Sequence, residues 1–210
     1  MGRLRWMQNV RTSDFKEGEL LQSDKYFYIR DAGIYIRSSA DGTLDIVSDT
    51  TLNLTAPSIV TTGAITNKRP VISGSGATVD LTAAQTGSLV LFDKADGIVF
   101  TLPTPVAGLW YDFFTTTTIT SNAAEVITKT VASEFILGSL INIDTDTSNA
   151  VAAWTGNGTT HVKISSNGST TGGVAGSMYR LTAVSTTQWM VQGTLFGTDT
   201  VETPFATAAT

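Results

Sequence analysis

The 210-residue sequence predicts an all-β protein in two parts: a short intertwined β-prism or β-helix segment, then a β-sandwich or jelly-roll domain, assembled as a homotrimer. Three observations carry that expectation. Residues 34 to 56 alternate apolar and polar side chains with a period of two, the periodicity of a strand. Residues 77 to 200 break into short apolar runs separated by Gly, Pro, Asn, Ser and Asp. Threonine is abundant, at 36 residues, and charge is low, at 15 %; this favours strands and large buried contacts over a solvated helical surface.

In the alternating zone Ile34, Ile36, Leu44, Ile46, Leu52 and Leu54 hold the even positions, while Tyr35, Arg37, Asp45, Val47, Asp49, Thr51 and Asn53 hold the odd ones. One unbroken strand of that length would extend about 75 Å at ~3.3 Å per residue, so the run must fold. Turn residues divide it at Asp31-Ala32-Gly33, Asp41-Gly42, Ser48-Asp49-Thr50 and Ala56-Pro57. A ribbon of such short strands cannot bury its own apolar face. Either the sheets of the C-terminal domain cover the strip, or identical strips from other chains do. Leu44 recurs as Leu52, and Ile46 as Leu54, eight positions later. That regular interval favours three copies meeting level by level round a common axis, an arrangement that also removes exposed sheet edges. The six even-position residues are therefore the expected trimer core.

The zones follow from composition. Residues 1–28 read as an N-terminal attachment arm, in which Arg3, Arg5 and Arg11 with Trp6 join cations to an aromatic anchor, a pairing enriched where proteins dock on proteins. Residues 29–66 are the stalk segment and 67–76, with Lys68, Arg69 and Pro70, a linker. Residues 77–200 form the β domain. Its expected inward anchors are Leu81, Leu89, Leu91, Val99, Leu102, Trp110, Phe113, Ile127, Ile136, Ile141, Ile143, Ile164, Leu181, Trp189 and Val191. Residues 201–210 read as a surface tail.

"GIYIRSSADGTLDIVSDTTLNLTAPSIVTTGAI" (33–65) resembles the β-prism or β-helical stalks of bacteriophage tail fibres, spikes, head fibres and capsid decoration proteins. "GATVDLTAAQTGSLVLFDKADGIVFTLPTPVAGLWYDF" (76–113) is similar to the start of a small β domain found at the C-terminal side of such proteins, which ends near a Trp-bearing strand like that at Trp189. The resemblance implies a trimeric structural role on a virion. Its expected partners are other copies of the chain and a major capsid or other virion protein. The small size favours a capsid decoration or cement protein docked through the N-terminal arm; the alternative is a short tail fibre or spike that binds a host-surface glycan.

The inventory of chemical groups points away from an enzyme. There is no cysteine and one histidine, so neither disulfides nor a Cys/His zinc site is expected. His161 has no second histidine and no serine in a strained turn to activate, and reads as an ordinary strand residue. Asp144 and Asp146 are expected on one strand face, where two carboxylates could hold calcium or flank a glycosidic bond, but no further ligand loop accompanies them. Asp41, Asp45 and Asp49 follow the stalk repeat and point outward by parity. "GSGATVD" and "TGGVAG" lack the Lys-Ser/Thr ending of a phosphate loop. The sequons at Asn53, Asn157 and Asn167 carry no weight without a secretory signal, and neither signal nor membrane span is read. Residues 1–70 hold nine basic and eight acidic side chains and residues 71–210 four and ten, a balance that disfavours nucleic-acid binding. No cofactor or metal is expected.

Overall fold

The computed structural model describes residues 27–28, 33–37, 40, 43–49, 51–56, 58, 60, 62, 68–74, 76–146 and 150–207. The protein is all-β, and the chain divides into two compact units, residues 1–65 and 66–210.

In the first unit β1 (Phe27–Tyr28), β2 (Tyr35–Arg37) and β3 (Asp45–Val47) form an antiparallel meander in the order β1-β2-β3. Ile36 lies opposite Ile46, so these two even positions share a face. Arg37 lies opposite Asp45 and the two are ion-paired at 3.3 Å. Asp41 and the docking residues Arg3, Arg5, Trp6 and Arg11 lie outside the described residues.

The second unit begins with a winding that short apolar runs alone do not reveal. β4 (Val71–Ser73), β6 (Leu89–Phe92) and β8 (Trp110–Thr115) enter one sheet; β5 (Thr78–Asp80), β7 (Val99–Thr101) and β9 (Ala124–Ile127) enter another. Within each sheet the three run parallel, so the chain makes three turns of a two-sheet coil. β10 (Phe135–Asp144) and β11 (Val151–Asn157) then form a hairpin at the far side of the first sheet, and β12 (Lys163–Ser166) joins the second. The hairpin β13 (Met178–Ala183) and β14 (Gln188–Gly197) inserts between β8 and β10, and β15 (Phe205–Ala206) closes the second sheet. The finished sheets have seven strands, β11-β10-β14-β13-β8-β6-β4, and five, β15-β12-β9-β7-β5. A wholly antiparallel jelly roll would lack the parallel runs.

The core lies between these sheets. Phe100 of β7 meets Phe92 of β6 edge-on at 5.1 Å and Phe113 of β8 at 6.0 Å, joining the two layers. Such pairs add directional attraction to the burial of large apolar surface. Phe113 stacks on Tyr179, and Tyr111 lies against the fully buried Trp189. The Tyr111 hydroxyl donates to the Thr82 carbonyl at 2.7 Å, and burial pushes its pKa up to about 12. Gly138 of β10 has φ +116°, and a Cβ there would strike the Val191 carbonyl oxygen, so the close approach of β14 requires glycine.

Leu81, Leu102, Phe113, Ile136, Ile164, Leu181, Trp189 and Val191 are buried as expected. Leu89, Leu91, Val99, Trp110, Ile127 and Ile143 are instead only partly buried and Ile141 is exposed, because in several runs the neighbouring positions are apolar too. Val90, Phe92, Ile98, Phe100 and Tyr111 take the inward places. In β10 the inward parity even falls on Asn142 and Asp144. Two boundaries also change. Val71–Ser73, inside the expected linker, is a strand of the seven-stranded sheet. Phe205, inside the expected surface tail, is buried in the core.

Replacing Phe100 with alanine removes the ring that joins the layers and should destabilise the second unit by about 3–5 kcal/mol, measured by chemical denaturation. Gly138→Val should lower the melting temperature more than Val131→Ala, which trims an exposed loop residue.

Candidate functional site: the outer face of the seven-stranded sheet

Strand register places three rows of side chains across the outward face of the seven-stranded sheet. The middle row is polar: Asp112, Arg180, Gln192, Ser139 and Thr155 lie side by side on β8, β13, β14, β10 and β11. On one side runs Phe114, Met178, Thr194, Ile141 and Ala153; on the other Trp110, Thr182, Met190, Leu137 and Asn157. Met178 is 56 % exposed, and Ile141, Met190, Val71 and Val151 also present large apolar surface on this face. A sheet with one buried side needs apolar residues only at alternate positions. This sheet has them on both sides.

Charge is as unevenly placed as apolar surface. Residues 66–210 hold six basic and ten acidic side chains, yet Asp112 is the sole acid at an outward strand position of this sheet. It is held by two arginines. Arg180, directly opposite on β13, donates Nε–H to Oδ1 at 2.6 Å and Nη2–H to Oδ2 at 2.8 Å. Arg69, just before β4, brings Nη2 to Oδ2 at 2.8 Å and also donates to the Gly87 and Ser88 carbonyls. Both guanidinium groups lie over the Trp110 indole, at 4.3 Å for Arg180 and 5.0 Å for Arg69. The bonded Arg180 holds the Asp112 carboxyl below its usual range, and burial opposes that shift in part. The carboxylate therefore stays ionised and the three groups together carry one surplus positive charge. An open groove of about 340 Å³ runs beside them, lined by Asp112, Met178, Arg180, Met190, Gln192 and Thr194.

A second polar recess, of about 270 Å³, lies by the five-stranded sheet and is lined by Asn122, Ser165, Asn167 and Thr171. At its base Lys163 and Glu125 form a buried pair, Nζ to Oε1 at 2.8 Å, and the Ser165 hydroxyl reaches the same oxygen at 3.4 Å. Charges so enclosed are held by each other and by hydrogen bonds.

The residues weighed for catalysis do not converge. His161 sits in the loop before β12 rather than in a strand. Its ring stacks on Phe205, and its Nδ1 accepts the Asn157 N–H at 3.2 Å. Asp144 is the buried last residue of β10, whereas Asp146 lies beyond the strand, exposed, and donates its backbone N–H to Asp144 Oδ1. They share no strand face, because the strand ends between them. Asp45 is committed to Arg37, and Asp49 lies in an exposed bend. Among the described residues no three His, Asp or Glu side chains gather as a metal site, and no helix is long and apolar enough to cross a membrane. The Asp112 cluster escaped the sequence because its members stand 43 and 68 positions from Asp112 and only the strand order unites them. No protein-family model, curated protein or solved structure matches this chain.

Lys163→Met should cost about 3–5 kcal/mol by leaving Glu125 buried without its ammonium partner, read by denaturation. Asp112 contributes stability above the ordinary aspartate pKa of about 3.9, and that contribution is lost as pH falls through its lowered folded value. Thermal melts from pH 6 to pH 2 should accordingly show a shallower acid loss in Asp112→Asn than in the parent.

Proposed function

We propose that this chain is a non-enzymatic structural protein of a bacteriophage particle, a homotrimer that decorates or cements the capsid shell. Its N-terminal region, with Arg3, Arg5, Trp6 and Arg11, docks on the major capsid protein, and its two-sheet β domain projects. Residues 34 to 54 supply the trimer core as a short intertwined β-prism.

One observation carries the proposal. The even-position strip lies open: Leu44 is 70 % exposed and Leu54 62 %, with Ile46 and Leu52 about half exposed. Among the described residues the buried hydrophobic cluster belongs wholly to the second unit. Four aliphatic side chains in water on a ribbon too small to fold alone call for an external cover, and identical strips supply one at matching intervals.

The second reading, a short tail fibre or spike that binds a host-surface glycan, is favoured by the groove beside Arg180, Met178 and Gln192, an open site on paired strands.

Light scattering of the full chain should give about three times 22.2 kDa. The double substitution Leu44→Asp, Leu52→Asp should yield monomers whose second unit melts at the parental temperature. A parental chain that stays monomeric at micromolar concentration overturns the trimer. Virion placement is read from purified particles by mass spectrometry, and absence of the chain from them overturns the capsid role.

A further inference from the structure

We propose that the groove across β8, β13 and β14 binds a carboxylate-bearing saccharide, with Arg180 as its recognition residue. The proposal rests on the glycan-binding reading and names the ligand class for that same site.

The charge argument comes first. Asp112 neutralises one of two arginines, and the neighbouring positions of the polar row, Gln192, Ser139 and Thr155, are uncharged. Within the row Asp112 and Arg180 balance each other, and the surplus positive charge is that of Arg69, which reaches the same carboxylate from beside the groove. The geometry adds specificity. Arg180 uses Nε–H and one Nη2–H on Asp112. Its Nη1, with the other Nη2 hydrogen, forms a second fork on the far edge of the guanidinium, and among the described residues none bonds to Nη1. A planar fork of that kind matches the two oxygens of a carboxylate. The Trp110 indole and the Asp112 bonds hold Arg180 in place, so little freedom is lost when a ligand binds.

The rows explain why the carboxylate belongs on a sugar. A sugar ring is amphipathic, with hydroxyl groups at its edge and C–H groups on its faces. Here a row of hydrogen-bonding side chains is bordered by rows that mix apolar side chains with threonines, with Met178 beside Arg180 and Met190 beside Gln192. From Asp112 to Thr155 the row crosses four strand spacings, about 19 Å, enough for several linked rings. A ligand in an open groove also leaves Arg69, 39 % exposed and outside the groove lining, in water. A protein covering the whole face would take the surplus cation out of water, which is unfavourable unless it brings its own carboxylate to that point.

Calorimetry with the full chain tests this, using oligogalacturonates, glucuronate-containing oligosaccharides and sialylated oligosaccharides as probes, with methyl-esterified oligogalacturonate and oligoglutamate as controls. The expected result is binding of at least one acidic saccharide, loss of that binding on esterification or in its neutral counterpart, and no comparable binding of oligoglutamate. Arg180→Ala should weaken it about tenfold or more, the effect of removing a charge-assisted pair of hydrogen bonds. Arg180→Lys, which keeps the charge and the fold but not the fork, should weaken it severalfold. Failure of every acidic saccharide to bind, equal binding of the neutral form, oligoglutamate binding as tightly, or unchanged affinity in Arg180→Lys overturns the proposal. None of these results alters the mass in light scattering, so the assembly proposal stands or falls separately.

Discussion

The contact of Phe100 with Phe92 and Phe113 is the constraint on which the second unit depends. Each of the first three turns of the coil places one strand in either sheet, so neighbours in a sheet are some twenty residues apart in sequence. Parallel pairs at that separation receive no help from a tight turn. What fixes them is the layer between the sheets, where one ring from the five-stranded sheet sits among rings from successive turns of the other. The later hairpins add to a face that those rings have already defined: Tyr179 of β13 stacks on Phe113, and Trp189 of β14 meets Tyr111.

That dependence explains which features were legible in the sequence. Turn clusters separated most strands of the second unit, though not β4, β11 or β15, and period-two alternation placed Ile36 and Ile46 on a common face. Inward parity in the second unit was legible only where one set of positions was polar. In "LWYDFF" both Trp110 and Tyr111 are large and apolar-bodied, and the outward one is Trp110, committed to two guanidinium groups. In "LINID" the isoleucines face out while Asn142 and Asp144 are buried; Asn142 is tied to the Thr170 carbonyl and Asp144 to the following turn. Side-chain type does not predict that inversion, because loop contacts supply the polar partners. The Arg69–Asp112–Arg180 cluster was illegible for a related reason: the register of β8 against β13 brings its members together.

The two sets of surplus apolar surface have different chemistry. The strip of the first unit is aliphatic, and its Leu44 and Ile46 recur as Leu52 and Leu54. Repetition suits a contact in which each residue meets copies of itself, since any register that satisfies one level satisfies the next. The outer face of the seven-stranded sheet repeats nothing. It mixes methionine, tryptophan and phenylalanine with amides, hydroxyls and one ion cluster, a composition suited to recognising something other than itself.

Stability alone accounts poorly for that ion cluster. Ion pairs near the surface contribute roughly 0–1 kcal/mol, and holding two long arginine side chains over one indole costs rotamer entropy that offsets part of this. If securing β8 to β13 were all that was required, one arginine opposite Asp112 would suffice, as Arg37 opposite Asp45 does in the first unit. The second arginine reverses the sign of the site from neutral to positive within a unit whose net charge is negative. It does so beside the groove, on strands whose backbone is fixed by neighbours on both sides. A local field that opposes its surroundings, borne by a pre-ordered guanidinium with an open edge, is what selective capture of an anion requires.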